Sequence, residues 1–256
     1  MLGAIAGDVI GSVYEWQSVK TTDFPLFSPG SRFTDDSVLT VAVADALLSG
    51  RDYADCLRDW GCRFPRAGYG QSFHRWLQTP GAGPYNSWGN GSAMRVSPVG
   101  WAFDDIDQVL AEARRSAAVT HDHPEGIKGA QAVALAILLA RKGEDQAAIK
   151  EEVGTRFGYD LDRRLEDIRP DYHFDVSCQG SVPEAIIAFL EAHDFESAVR
   201  NAVSLGGDAD TQGCIAGAIA AAHYGGVPEW IRHTVVARLD KSMVAVLNDF
   251  EQQFGY

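Results

Sequence analysis

Two segments of this 256-residue chain are apolar nearly all the way round a helix, and they constrain the fold more than any other feature. One runs from Gly129 to Ala140, and the other runs from Cys214 to Ala222, where Gly213 and Gly217 are four residues apart. Helices without a polar face lie in the middle of a bundle, and small residues let neighbouring backbones approach closely. The two segments therefore predict central helices that other helices surround.

Helical periodicity also extends over much of the remaining chain, whereas the alternation typical of strands is nearly absent. Apolar residues recur at three- and four-residue spacing, as on one face of a helix. The segments are 36–49, 105–119, 126–142, 181–193, 194–205, 210–224, 228–239 and 240–254. We therefore predict an all-α fold, and since no linker interrupts the pattern, a single domain over residues 1–256.

One helix start is predicted from local signals alone. Ser181 and Glu184 have the spacing of a capping box, and Pro183 between them is a residue favoured in the first turn. This pattern predicts a purely structural helix that begins at Ser181.

The helical pattern breaks between residues 61 and 100, where Gly, Pro, Asn and aromatic residues accumulate. A loop of this length in a compact domain is usually functional or disordered. The aromatic residues Tyr69, Phe73, Trp76 and Trp88 argue against disorder. We therefore predict an ordered loop that contributes to a binding site.

Composition excludes some functions. The net charge of -13, from 22 Lys and Arg against 35 Asp and Glu, disfavours binding to nucleic acid or to anionic lipid. No uncharged stretch predicts a transmembrane helix, and no basic residue precedes the first apolar run, so a secretory signal is not expected. The four cysteines have neither zinc-site spacing nor the density of a disulfide scaffold. We expect a cytoplasmic monomer without a membrane partner.

Two acidic clusters, Thr34–Ser37 and Gly207–Thr211, each stand at the predicted start of a helix. Capping explains one oxygen side chain per helix, and the clusters contain several. If they met in space, the carboxylates would have to bind protons or cations, and oxygen ligands favour Mg²⁺ or Mn²⁺ over zinc. The alternative is two ordinary caps with solvated acidic neighbours. The candidate ligands are Thr34, Asp35, Asp36, Asp208, Asp210 and Thr211.

Glu15 follows the Gly-rich first helix and lies between the aromatic residues Tyr14 and Trp16. A partly dry aromatic setting raises the pKa of a carboxyl group and suits it to acid or base catalysis. The alternative is a surface glutamate at a helix end.

A glycine-rich turn, Ser87–Arg95, offers hydroxyl groups, an amide and accessible backbone N–H groups. Such turns can bind a diphosphate, and Trp88 can stack on a base, although the turn does not match the nucleotide-binding phosphate loop. A simple tight turn is the alternative.

Two histidines, His121 and His123, stand beside acidic residues between two predicted helices. The pattern is compatible with a metal site or a proton shuttle. The alternative is that one histidine caps a helix end.

Together these motifs resemble the ADP-ribosylglycohydrolase family, and the resemblance extends through the whole chain. The motifs, in the order of the family, are Gly7–Asp8 with Glu15, Thr34–Ser37, Gly89–Arg95, Thr120–His121 and Gly206–Thr211. Five motifs in order are far more specific than any one of them.

The resemblance implies a compact orthogonal bundle of helices with two Mg²⁺ or Mn²⁺ ions at the base of a cleft. It implies that the acidic clusters hold the ions and that Glu15 and Asp35 are the catalytic carboxylates. The residues that would bind ADP-ribose are Ser87, Trp88, Gly89, Asn90, Gly91 and His121. The implied activity is hydrolysis at ribose C1 of an ADP-ribosylated protein or small conjugate.

Two other functions fit the same residues. One is an ADP-ribose-binding module without turnover, and the other is a two-metal phosphoesterase that acts on the diphosphate. The products distinguish them, because the phosphoesterase releases AMP and the module releases nothing. The acceptor, whether arginine, serine or another group, cannot be read from these motifs.

Overall fold

Helices form nearly all the regular structure of the computed structural model, which describes residues 1–255. In chain order they are α1 (Leu2–Gly11), α2 (Asp35–Ser49), α3 (Tyr53–Arg63), α4 (Gln71–Gln78), α5 (Gly91–Met94), α6 (Ser97–Ala102), α7 (Ile106–Ala118), α8 (Pro124–Arg141), α9 (Gln146–Phe157), α10 (Leu165–Ile168), α11 (Cys178–Leu190), α12 (Phe195–Val203), α13 (Ala209–His223), α14 (Glu229–Val236) and α15 (Lys241–Phe254). Within the described residues, the β structure is a single bridge between Gly89 and Ser177. The predicted all-α fold is confirmed. The boundary 1–256 stays a prediction, and Tyr256 lies outside the described residues.

The two apolar helices are central, as their composition predicts. In α13 every residue before His223 is buried, and α8 is buried over most of its length. α13 packs against α1, α8, α11 and α12. The core therefore forms around α13, and whatever stands at the N-terminus of that helix is held by several neighbours.

α1 and α13 run antiparallel at unusually close range. Gly3 faces Gly217, Gly7 faces Gly213 and Gly11 faces Ala209. A Cβ atom on Gly213 would stand only 2.7 Å from the carbonyl oxygen of Gly7, a separation that real Cβ contacts do not show. We call this contact the glycine seam. It places the C-terminal half of α1 directly against the acidic start of α13.

The helix predicted to start at Ser181 begins earlier, so that prediction is wrong. α11 starts at Cys178, Ser177 caps it by accepting from the Gly180 N–H at 3.1 Å, and Pro183 lies inside the helix. Ser181 instead donates its hydroxyl to the Ser177 carbonyl at 2.6 Å, and Glu184 pairs with Arg163. The capping-box spacing was misleading because Ser181 lies inside the helix, where its hydroxyl bonds back to the carbonyl four residues earlier, and because Arg163 engages Glu184.

The segment 61–100 is more helical than its composition predicts, since α4 and α5 lie within it and α6 begins in it. Helices α3, α9 and α10 also lie outside the predicted segments. Short helices with few buried residues give weak periodicity; in α9 only Ile149 and Val153 are buried. The aromatic residues of the segment are ordered, because the rings of Tyr69, Phe73 and Trp76 pack in succession at centroid distances of 5.4 Å.

None of the helices in residues 1–255 has the length and apolar composition needed to cross a bilayer. The cysteines of the described chain are free, and three of them are buried.

Candidate active site

The structure brings the two acidic clusters together at the N-terminus of α13. Ligand oxygens of Asp8, Asp36 and Asp210 lie within 4.8 Å of one another, and so do those of Glu15, Asp208 and Asp210. The glycine seam explains the meeting, because it sets Asp8 on α1 and Glu15 just beyond α1 beside the start of α13. Asp210 belongs to both sets and stands between them.

Asp8 was not among the predicted ligands, although it is the best anchored carboxylate of the cluster. It accepts hydrogen bonds from the Thr34 N–H at 2.9 Å, the Thr34 hydroxyl at 2.7 Å, the Ser37 N–H at 3.1 Å and the Ser37 hydroxyl. These bonds tie α1 to the first turn of α2. A lone aspartate within the apolar helix Leu2–Gly11 was the available sequence signal, because a buried carboxylate requires partners.

Thr34 is the N-cap of α2, and its hydroxyl accepts from the Asp36 N–H at 3.3 Å while it donates to Asp8. The Thr211 hydroxyl lies 3.4 Å from Asp36 Oδ2 and 3.8 Å from the sulfur of Met94. Both threonines thus lie at the acidic cluster, with their hydroxyls already in contact with neighbours. Their roles as ligands stay predictions.

The acidic cluster has the properties of a cation site. Asp36 Oδ1 is buried and has no hydrogen-bond partner among the described residues. Burial is the main cause that raises the pKa of every aspartate in the cluster. Repulsion from neighbouring carboxylates raises the pKa of most of them further. The pKa of Asp208 rises to about 6. The aspartates are Asp8, Asp35, Asp36, Asp208 and Asp210. Such a group needs protons or cations to offset its charge, and its donors are all oxygens.

Glu15 stands at the edge of this cluster and is only partly buried. Burial, followed by the charge of Asp210, raises the pKa of Glu15 to about 7, while Arg32 acts in the opposite direction. A carboxyl group with this pKa can take up or release a proton near neutral pH.

The acidic cluster forms one end of a cleft with a volume of about 550 Å³. Of the predicted ADP-ribose-binding residues, the lining contains Ser87, Gly89, Asn90, Gly91 and His121. Trp88 is not part of the lining; it is 52% exposed and its ring packs edge-on against His123 at 5.6 Å. Asn90 joins the two ends, since its amide donates to Asp208 Oδ2 at 2.8 Å and to the Ser181 hydroxyl at 3.2 Å.

The two histidines have different roles. His123 caps α8 by accepting a hydrogen bond from the Glu125 N–H at 3.1 Å. The alternative that one histidine caps a helix end therefore holds for His123. His121 lies in the cleft beside the glycine turn, and burial, followed by the charge of Arg95, lowers the pKa of its imidazole well below the usual value. His121 is therefore a neutral group at neutral pH.

Aromatic side chains surround the mouth of the cleft. The rings of Trp16 and Phe174 stack at 5.4 Å, and both side chains are exposed, by 76% and 44%. Tyr69, Phe73 and Tyr85 also line the cleft. Phe174 had no sequence signal, because it lies in an irregular segment between α10 and α11. We call Trp16, Tyr69, Phe73 and Phe174 the aromatic rim.

Comparison with known proteins decides the family. The profile described as ADP-ribosylglycohydrolase matches residues 1–254. The chain belongs to the ADP-ribosylglycohydrolase family. It is 28% identical to the ADP-ribosylhydrolase ARH3 of Gallus gallus, with 88% of this chain and 84% of that protein covered. The ADP-ribosylhydrolase ARH3 of Homo sapiens is similar to the same degree, with 28% identity and 88% and 84% coverage.

A solved structure supports the same assignment to the ADP-ribosylglycohydrolase family. The chain resembles a protein described as an ADP-ribosylglycohydrolase-related protein complex, with a TM-score of 0.74 and 26% sequence identity. The match covers 99% of this chain and 95% of that one. Membership supports an ADP-ribosyl hydrolase activity, and the acidic cluster of this chain can hold a metal ion.

Proposed function

We propose that this protein is a metal-dependent hydrolase that cleaves the bond between ribose C1 and the acceptor in ADP-ribosyl conjugates. The acceptor would be an arginine or serine side chain or a small molecule. The observation that carries the proposal is the pair of overlapping carboxylate sets, Asp8, Asp36 and Asp210 with Glu15, Asp208 and Asp210, at one end of the cleft. The family to which the chain belongs supports it.

Two Mg²⁺ or Mn²⁺ ions fit the donors of the acidic cluster. Asp8, Asp36 and Asp210 would hold one ion, and Glu15, Asp208 and Asp210 would hold the other. Asp36 Oδ1, buried without a partner, is an available ligand atom. When bound, the ions would supply positive charge that orients the ribose hydroxyls and offsets the carboxylates. Thr34, Asp35 and Thr211 complete the proposed metal site.

The glycine turn at the other end of the cleft would receive the diphosphate. A Cβ atom on Gly91 would stand 3.2 Å from Nε2 of His121, and one on Gly89 would stand 3.2 Å from the Ser87 hydroxyl. The absence of side chains leaves the Ser87 hydroxyl and Nε2 of His121 open to phosphate oxygens. The N–H groups of Gly89 and Asn90 are already bonded to the Ser87 hydroxyl and the Val176 carbonyl, so the accessible N–H groups expected of this turn are not found at these two positions. Asn90 fixes the turn to the acidic cluster through Asp208 and so sets the distance between diphosphate and ribose.

Cleavage at ribose C1 develops positive charge on the sugar ring, so the enzyme must position the ring and activate water. Glu15 and Asp35 both line the cleft beside the acidic cluster and are the proposed acid and base groups. The Glu15 carboxyl, with its pKa raised to about 7, can exchange a proton at neutral pH.

The test is release of ADP-ribose from ADP-ribosyl-arginine and ADP-ribosyl-serine peptides with Mg²⁺, with Mn²⁺ and after chelation. We expect metal-dependent release of free ADP-ribose with an unmodified acceptor. Release of AMP would indicate the phosphoesterase instead. Tight binding of ADP-ribose with no product from any conjugate would indicate a binding module. A cytoplasmic location and a monomeric state stay predictions.

A further inference from the structure

Arg95 is a buried cation that the proposed reaction does not use. Its side chain is fully buried, its Nε and Nη1 have no hydrogen-bond partner, and no carboxylate pairs with it within the described residues. Its Nη2 donates to the Ser116 carbonyl at 2.8 Å and to the Thr120 hydroxyl at 3.0 Å. Burying a charge without a counter-ion costs several kcal/mol, so packing alone does not explain an arginine at this position.

Thr120 connects Arg95 to the cleft. Its Oγ1 lies 2.7 Å from Nδ1 of His121. A guanidinium group can only donate, so Arg95 occupies a lone pair of the Thr120 oxygen. The Thr120 hydroxyl forms hydrogen bonds with Arg95 and with Nδ1 of His121, and of these two groups only Nδ1 can accept its hydrogen. The Thr120 hydrogen is then directed to His121.

A neutral histidine carries its single N–H on one of two nitrogens, and the hydrogen bond at the other nitrogen selects which. His121 is only 5% exposed and is held neutral by burial and by Arg95, which lower its pKa. If Nδ1 accepts from Thr120, the hydrogen stands on Nε2. That nitrogen faces the glycine turn, 3.2 Å from the position of a Cβ on Gly91 and 3.6 Å from one on Gly89.

We propose that Arg95, acting through the Thr120 hydroxyl, is a positioning residue that fixes His121 in the Nε2–H tautomer, so that the imidazole donates a hydrogen bond to an anionic diphosphate at the glycine turn. The inference rests on the proposed function for the identity of the anion. The opposite tautomer would present a lone pair to phosphate oxygens and repel them. Arg95, which also lines the cleft, thus contributes to anion binding through Thr120 and His121.

The tautomer can be measured directly in the intact protein. The chain contains seven histidines, so uniformly ¹⁵N-histidine-labelled protein gives a simple spectrum, in which loss of one set of signals in His121→Gln assigns His121. We expect a protonated Nε2 and an unprotonated Nδ1 at neutral pH in the wild-type protein. A protonated Nδ1, or a doubly protonated ring, would overturn the proposal.

Two variants of Thr120 test the connection to Arg95. Thr120→Val removes the hydroxyl with little change of shape, and Thr120→Ser retains it. By calorimetry we expect Thr120→Val to bind ADP-ribose about 10-fold more weakly, or about 1.4 kcal/mol, with a shift toward the Nδ1–H tautomer. Thr120→Ser should restore both the affinity and the spectrum. Wild-type tautomer and affinity in folded Thr120→Val would contradict the inference.

Kinetics separate positioning from a general structural loss. With an ADP-ribosyl substrate, Thr120→Val should raise KM about 10-fold and change kcat little, since the ribose end of the cleft is untouched. If Thr120→Val instead lowered kcat about 10-fold and left KM unchanged, Thr120 would have no role in diphosphate binding. The spectrum and the calorimetry need no turnover, so they test the positioning role even if the proposed hydrolysis fails.

Discussion

The acidic floor of the cleft and its aromatic rim are built in opposite ways. At the floor, carboxylates are buried and held by backbone and hydroxyl groups, as Asp8 is by Thr34 and Ser37. At the rim, the stacked rings of Trp16 and Phe174 are largely exposed and lie in irregular segments. The floor therefore fixes the positions of its carboxylates closely, as catalysis requires. The amino acids of the rim can be changed without disturbing the packing of the core.

This difference indicates that the floor and the rim have separate functions. A cluster of buried aspartates with raised pKa values costs stability, and such a cost is acceptable only where charge is needed. The exposed rings of Trp16 and Phe174 cost little stability, and we expect the rim to contact the group attached to the ADP-ribose. We therefore expect the floor to determine whether the bond is cleaved and the rim to determine which acceptor is released. The following experiments test that separation, from the largest expected effect to the smallest.

Replacing Asp210 should have the largest effect. Asp210 belongs to both carboxylate sets, so Asp210→Ala should lower kcat/KM about 1,000-fold and weaken binding of Mg²⁺ and Mn²⁺ without unfolding the protein. Activity assays and calorimetric metal titration measure both effects. Asp55→Ala, an exposed aspartate in the first turn of α3, is the matched control. Normal turnover by folded Asp210→Ala would refute the metal-site assignment.

Adding a methyl group to the glycine seam should damage the floor through the fold. A Cβ on Gly7 would overlap the backbone of Gly213, so Gly7→Ala should destabilise the protein by about 3 kcal/mol and weaken metal binding. Denaturant unfolding measures the loss. Gly83→Ala, where a Cβ meets open space, should be close to neutral. If Gly7→Ala kept wild-type stability, close packing of α1 on α13 would not be what sets the acidic cluster.

The stability of the metal-free protein should fall as pH rises. The ordinary pKa of these aspartates is 3.8, and the folded values are raised, to about 6 for Asp208, so between these limits the folded state holds more protons than the unfolded state. Stability is therefore lost as pH rises through this window, and bound cations reverse the loss. We expect Mg²⁺ at about 100 times its Kd to raise Tm by about 5–10 °C at pH 8.

The control for this prediction is the same thermal scan at a pH below the window. There the aspartates are protonated, so Mg²⁺ should raise Tm much less. Equal stabilisation at both values of pH would show that the cation binds elsewhere.

Changing the rim should have the smallest and most selective effect. Tyr69 lines the cleft, and its hydroxyl is buried without a partner among the described residues. Tyr69→Ala should change the ratio of kcat/KM for arginine and serine conjugates about 10-fold and leave metal affinity unchanged. Tyr69→Phe, which keeps the ring, is the control and should retain the wild-type ratio. An equal loss for every acceptor would show that the rim does not set specificity.

Much of the fold could be predicted from local patterns. Helical periodicity and the small apolar segments around Gly129–Ala140 and Cys214–Ala222 identified an all-α protein with these helices at its centre. The physical reason is that a helix with no polar face has to be enclosed. The pattern was wrong at Ser181 and Glu184, which have capping spacing. Ser181 instead accepts from the distant Asn90, and Glu184 pairs with the distant Arg163.

The candidate site, like the fold, could be predicted from the sequence only in part. The excess of oxygen side chains at Thr34–Ser37 and Gly207–Thr211 predicted that the two clusters bind cations if they meet. Tertiary structure decided that they meet, because α1 packs closely on α13 and Asp8 ties α1 to the start of α2. It also decided that Phe174 stacks on Trp16. Sequence determines the chemistry that each residue carries, but distances between residues far apart in the chain depend on how closely helices pack.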